Sequence, residues 1–186
     1  MLPEYTIQEL PQPKGIPWNI QMVNAPSFWA KTKGGGRVVA VIDTGCDQHH
    51  QEFDGGARII NPRNFTAVGN LYDVTDKQGH GTHVAGTIAG KTVGVAPEAR
   101  IMPLKVFCDD PKRQTGFEFQ DAFAEVLRWN RECDVRDRVV AVNCSFGSQM
   151  PDAMMAYYIR QLVSDGVVVC VAAGNSGDGN ADTHEV

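Results

Sequence analysis

A chain of 186 residues can bury one sizeable core, since a domain of this size covers roughly 70% of the surface its unfolded form exposes. Its composition, 42% hydrophobic and 21% charged with a formal net charge of -5, is that of an ordinary soluble protein and offers no basic footprint for nucleic acid. No run of about 18 apolar residues occurs, and the first residues carry prolines and acids rather than a secretory pattern, so a cytoplasmic protein without a membrane partner is expected.

Residues 1–20, MLPEYTIQELPQPKGIPWNI, are Pro-rich without sustained periodicity and read as an extended arm, with residues 21–186 forming the globular part. From Ala25, APSFWAK fits a short helix that Gly34, Gly35 and Gly36 interrupt. Short apolar runs then predict buried parallel strands at 38–42, 59–65, 101–107, 139–144 and 167–172. Between several of them, helical patterns fall at 82–89, 117–130 and 151–165. This alternation predicts an α/β fold with a mainly parallel sheet, whose chemistry gathers at the carboxyl ends of the strands.

Five cysteines, Cys46, Cys108, Cys133, Cys144 and Cys170, form an odd set without paired metal spacing and read as buried reduced thiols. Cys46 stands apart because it lies three residues after Asp43, at the loop end of a strand. If exposed there, it would be open to mercury or oxidation.

The stretch QGHGTHVAGTIAGKT, from Gln78 to Thr92, carries two incompatible chemistries. His80 and His83 sit where a general base could open a helix, whereas Ala85 to Thr92 matches a loose phosphate-binding loop. The second reading needs a strand before AGTIAGKT and a helix after it. The segment instead runs through an expected helix, and VGVAP follows. A zinc site at His80 and His83, with His49 or His50, lacks the glutamate of the zincin pattern and has Gly81 weakening the helix.

Asp43 ends a strand in VIDTG, His80 opens a helix in GHGTHVAG, and Asn175 follows a strand in VAAGN. Each alone has a plain structural explanation as a turn or capping residue. Together they supply what acyl transfer needs besides a nucleophile: a carboxylate to orient a histidine, a base, and an amide to donate to an oxyanion.

VAVIDTG, GHGTHVAGT, VGVAP and VAAGN resemble the subtilisin-like serine proteases, the subtilases, from about Gly15 to the end of the chain. The resemblance implies a subtilisin-like three-layer α/β fold, incomplete on its C-terminal side, with residues 21–186 as the amino-terminal portion of a catalytic domain. By the same likeness, Asp43 orients the base, His80 is the base and Asn175 is the oxyanion donor. Thr115, Gly116 and Phe117 resemble the edge that pairs with an extended peptide, and Ser145, Phe146 and Gly147 resemble the wall of the primary specificity pocket. The plain alternative for TGF is a loop leading into a helix. Peptide or protein is the implied substrate, and no cofactor is required for the chemistry.

Within the family the chain resembles the bacterial intracellular branch, through the thiol after DTG, the lack of a signal and the terminal GNSGDGNADTHEV. LPEY, from Leu2 to Tyr5, resembles the motif of an inhibitory extension. Two departures follow. Only Lys91 and Thr92 separate Gly90 from Val93, where many subtilases have a longer loop around a structural calcium. That leaves metal sites unassigned, makes Glu52 an expected surface carboxylate, and leaves Asp178, Asp182 and Glu185 as solvated acids rather than a cation site. Further, the family nucleophile lies in a Gly-Thr-Ser segment well beyond the asparagine, and none of the five serines, Ser27, Ser145, Ser148, Ser164 and Ser176, has that context. The expectation is an amino-terminal portion with little catalysis of its own, prone to self-association or reliant on a C-terminal half. The competing reading is a catalytically inactive fragment or non-enzymatic binding module.

Overall fold

A computed structural model of the chain describes residues 15–147 and 151–175. The likeness at residues 2–5, the serines at 148 and 176, and the acids at 178, 182 and 185 fall outside that range. Five parallel strands form one sheet in the order β2-β3-β1-β4-β5: β1 is Val38–Asp43, β2 Arg63–Asn64, β3 Arg100–Lys105, β4 Val139–Cys144 and β5 Val168–Val171. The helices are α1 (Trp18–Met22), α2 (His80–Ala89), α3 (Phe117–Glu132) and α4 (Ala153–Ser164).

The alternation of side chains along β1 explains the three layers. Val38, Ala40 and Ile42 face α3 and α4, where they join Ala122, Phe123, Val126 and Leu162 in the larger core. Val41 faces the other way, onto Ala85 and Ala89 of α2, with Phe53 and Ile101 beside them. A strand covered on both faces has no polar side, which is why VVAVID reads as a nearly continuous apolar run. The expected three-layer α/β sandwich is present. At the sheet edge, β5 is open: Val168 and Val171 are 60% and 57% exposed.

Some boundaries differ from the sequence expectation. The strand expected at 59–65 is reduced to a bridge between Ile59 and Ile101 and the two-residue β2. Ile101 exchanges backbone hydrogen bonds with Arg58 and Ile60, so by alternation Pro103 faces the same side and offers no N–H there. Pro62 also lacks a donor, and Asn61 has a left-handed φ of 44°. The ladder therefore breaks between the bridge and β2. The arm expected to run extended to residue 20 already forms α1 from Trp18, with Ile20 buried. Near Ala25 the expected helix is one short turn, Ala25–Ser27.

Candidate active site

Asp43 is the last residue of β1 and His80 the first of α2. Both are withdrawn from solvent, at 1% and 5% exposure, and His80 Nδ1 lies 2.6 Å from Asp43 Oδ1. An ionised carboxylate only accepts, so this bond places the ring hydrogen on Nδ1 and leaves Nε2 as the basic nitrogen. Burial pushes the Asp43 carboxyl above its ordinary value, while the His80 hydrogen bond, the Thr44 amide and the charge of a protonated imidazole pull it back. The Thr44 amide donates to the same Oδ1 at 2.7 Å. Oδ2 is buried without a hydrogen-bond partner among the described residues.

The two elements approach backbone to backbone. A Cβ on Gly81 would lie 2.2 Å from the Gly45 carbonyl oxygen and 3.1 Å from Asp43 Cβ. One on Gly45, whose φ is 128°, would lie 2.4 Å from the Val74 carbonyl oxygen. Only glycine permits these contacts, so the G of DTG and the G of HGTH serve one junction.

Sequence reading missed the polar groups that close this junction. Asp76, half-buried, accepts from the Thr44 hydroxyl, the Gln78 and Gly79 amides, and both the amide and hydroxyl of Thr82. Helix α2 has no side-chain cap of its own at Gly79. Its orphan N–H groups are satisfied from elsewhere: Gly81 N donates to Thr44 Oγ1 and Thr82 N to Asp76 Oδ2, both at 2.9 Å. Burial works to raise the Asp76 carboxyl, but the Thr82, Gly79 and Thr44 donors outweigh it and hold it below its ordinary value. Lys105, 2% exposed, donates to the Thr44 and Thr75 carbonyls at 2.5 and 3.1 Å and to Asp109 at 3.0 Å, so the ammonium is paired and hydrogen-bonded. Asp76 lies four positions before His80 in TDKQGH; this spacing is the only sequence hint of its role.

The remaining candidates lie along the same carboxyl edge. Thr115 and Gly116 lead directly into α3, with Gly116 at φ 90°, and Glu118 turns back to accept from their amides at 2.9 and 2.6 Å. Their backbone is thus laid out as a helix start, with Phe117 exposed beside it. Ser145, Phe146 and Gly147 follow β4, next to β1 in the sheet, and Asn143 Nδ2 donates to Ser145 Oγ at 2.8 Å. Phe146 meets Phe119 of α3 at 5.0 Å and Phe107 at 5.8 Å between ring centroids, which brings the two segments to one aromatic cluster. Asn175 is exposed beyond β5, at the same edge and two strands from β1. His83 is exposed on α2.

Glu52 is buried rather than a surface carboxylate: its two oxygens accept from the Thr92 amide at 2.8 Å and hydroxyl at 2.6 Å, tying down the short Lys91-Thr92 turn. Cys46 is buried under the loop, as expected of the set, and burial together with the nearby Asp76 and Asp47 charges pushes its thiol to about 12, so the condition for reactivity, exposure, is not met. Of the stretch that resembles a nucleotide loop, Ala85 to Thr92, the residues as far as Ala89 are helical as expected and pack Ala85 and Ala89 into the core. Cys108 and Cys144 are buried as expected, whereas Cys133 is half-buried and Cys170 exposed.

Known proteins resemble this chain in sequence and fold. The subtilase family model matches residues 34–186. An intracellular serine protease of Paenibacillus polymyxa is 35% identical over the whole chain, and the major intracellular serine protease of Bacillus subtilis (strain 168) is 36% identical over the whole chain. The chain spans 56% and 58% of the length of these two relatives. Among solved structures, the S41 psychrophilic protease superposes with a TM-score of 0.72 at 29% identity, covering 88% of this chain and 54% of its own. Fervidolysin from Fervidobacterium pennivorans, described as a keratinolytic enzyme related to subtilisin, gives 0.65 at 30% identity, covering 85% and 24%. The chain belongs to the subtilase family.

Proposed function

We propose that this chain carries the base half of a serine endopeptidase. Asp43 orients His80, Nε2 takes the proton of a serine supplied by residues outside these 186, and Asn175 donates to the oxyanion. The observation that carries the reading is the buried 2.6 Å contact between His80 Nδ1 and Asp43 Oδ1 at the carboxyl edge of the sheet. It is supported by two relatives whose names are intracellular serine proteases.

A peptide would run as an added strand between Thr115, Gly116 and Phe117 on one side and Ser145, Phe146 and Gly147 on the other. Glu118 occupies the amides of Thr115 and Gly116, so that side would hold the peptide through carbonyls and the exposed Phe117 ring. The chemistry calls for no cofactor. At the Lys91-Thr92 turn, Thr92 engages both oxygens of Glu52, and this turn is proposed to hold without calcium. A cytoplasmic location and the absence of nucleic-acid or membrane partners complete the reading. Among the described residues no helix is long and apolar enough to cross a membrane.

The test is peptide-bond hydrolysis of an unfolded protein substrate by a form of the chain extended in frame through a Gly-Thr-Ser segment. Replacement His80→Ala should lower kcat by about six orders of magnitude. An extended form that cleaves equally well without His80 would exclude the reading.

A further inference from the structure

We propose that Asp76 is a positioning residue for the Asp43 and His80 pair, acting through Thr44 on one side and through Gly79 and Thr82 on the other. This rests on the protease reading for its purpose, although its geometry stands independently.

One oxygen of Asp76 accepts from the Thr44 hydroxyl at 2.9 Å, immediately after Asp43, and from Gly79 N at 2.8 Å, immediately before His80. The other accepts from Thr82 N at 2.9 Å and Thr82 Oγ1 at 2.7 Å, two residues beyond His80. The Thr44 hydroxyl in turn accepts from Gly81 N at 2.9 Å, and Thr82 Oγ1 accepts from Asp47 N at 2.9 Å. The flanks of both members of the pair therefore converge on one carboxylate. Its charge also sits at the positive end of α2, where an anion is favoured.

The segment that bears Asp76 is itself anchored. Cys46 N donates to the Val74 carbonyl at 2.7 Å, and the Lys105 ammonium joins the carbonyls of Thr44 and Thr75. Gly45 and Gly81 meet backbone to backbone, so at the start of α2 no side chain interlocks with the loop after β1. The Asp76 bonds are directional and set the position of that start relative to Thr44. A catalytic pair must be held to within about 0.5 Å of its working geometry, so small slippage matters.

The experiment is proton and nitrogen NMR on the 186-residue chain with labelled histidine. The His80 Nδ1 proton held by Asp43 should give a far-downfield resonance, which Asp43→Asn removes as an assignment control. In Asp76→Asn that resonance should be lost while the backbone amide spectrum of β4 and α4 is retained. A folded Asp76→Asn that keeps the resonance at its original shift would overturn the proposal. If Asp76→Asn does not fold, Thr44→Val, which deletes only the hydroxyl link, decides in the same way: loss supports the proposal and retention overturns it. A native chain without the resonance would equally overturn it. Because the readout is the imidazole rather than hydrolysis, an extended form that fails to cleave while the resonance behaves as expected would fault the protease reading alone.

Discussion

His80 and Asp43, 37 residues apart in sequence, meet through a 2.6 Å contact between Nδ1 and Oδ1 at a junction where two glycines let the backbones touch. In the proposed reaction the carboxylate would fix the tautomer and offset the charge that the ring gains on accepting a proton. In an extended, nucleophile-bearing form, Asp43→Asn should therefore lower kcat by about four orders of magnitude with KM little changed. Steady-state kinetics on the purified variant checks this, and a matching rise in KM with kcat preserved would point to a binding role instead.

Glu118 gives a stability prediction with a defined pH limb. Burial works to raise its carboxyl, yet the Thr115 amide, its own amide, the Thr115 hydroxyl and the Gly116 amide hold it below its ordinary value. A depressed folded-state value means that its stabilisation is complete above the unfolded carboxylate range and is lost as pH falls through the folded value. Replacement Glu118→Gln should cost about 1–2 kcal/mol at neutral pH, the scale of a lost cap. That deficit should shrink as pH falls below the ordinary carboxylate range in denaturant melts. A deficit independent of pH would show that the side chain's shape, not its charge, carries the effect.

Glu52 and Thr92 should couple. Thr92→Val takes the hydroxyl donor from one oxygen of the buried Glu52 and keeps the amide donor to the other, so a cycle of Glu52→Ala and Thr92→Val should show about 1 kcal/mol of interaction. Because the turn is closed by protein groups, EDTA should leave its melting unchanged. A loss of stability on chelation that Glu52→Ala abolishes would place a metal there.

The meeting of Asp43 with His80 was legible because each carries its context within a few neighbouring residues, as does Asn175 beyond β5. The scaffold around them was not. Asp76, Lys105 and Glu52 take their roles from partners brought close by the fold: Lys105 reaches Thr44 across 61 residues, and Glu52 reaches Thr92 across 40. No local pattern distinguishes such residues from solvated charges. The helical pattern at 82–89 leaves out the first two residues of α2 for the same reason, since its caps are supplied by Thr44 and Asp76 rather than by an adjacent side chain, and only the GHGTH motif points to His80 as the start. The strand at 59–65 was over-read because its apolar run conceals the facing prolines, Pro62 and Pro103.

Thiol accessibility offers an independent check of the packing. In the folded chain Cys170 should react first with a neutral disulfide reagent, while Cys46, held at about 12 and buried, stays unmodified until the protein unfolds. Counting modified cysteines by mass, before and after denaturant, reads this directly. Early modification of Cys46 would mean that the loop above it opens in solution.

Covalent labelling with a fluorophosphonate serine probe tests the central claim most directly. The account predicts no labelling of the 186-residue chain, and labelling of a form extended through Gly-Thr-Ser that disappears with His80→Ala. Labelling of the 186-residue chain, or of the extended form regardless of His80, would contradict it.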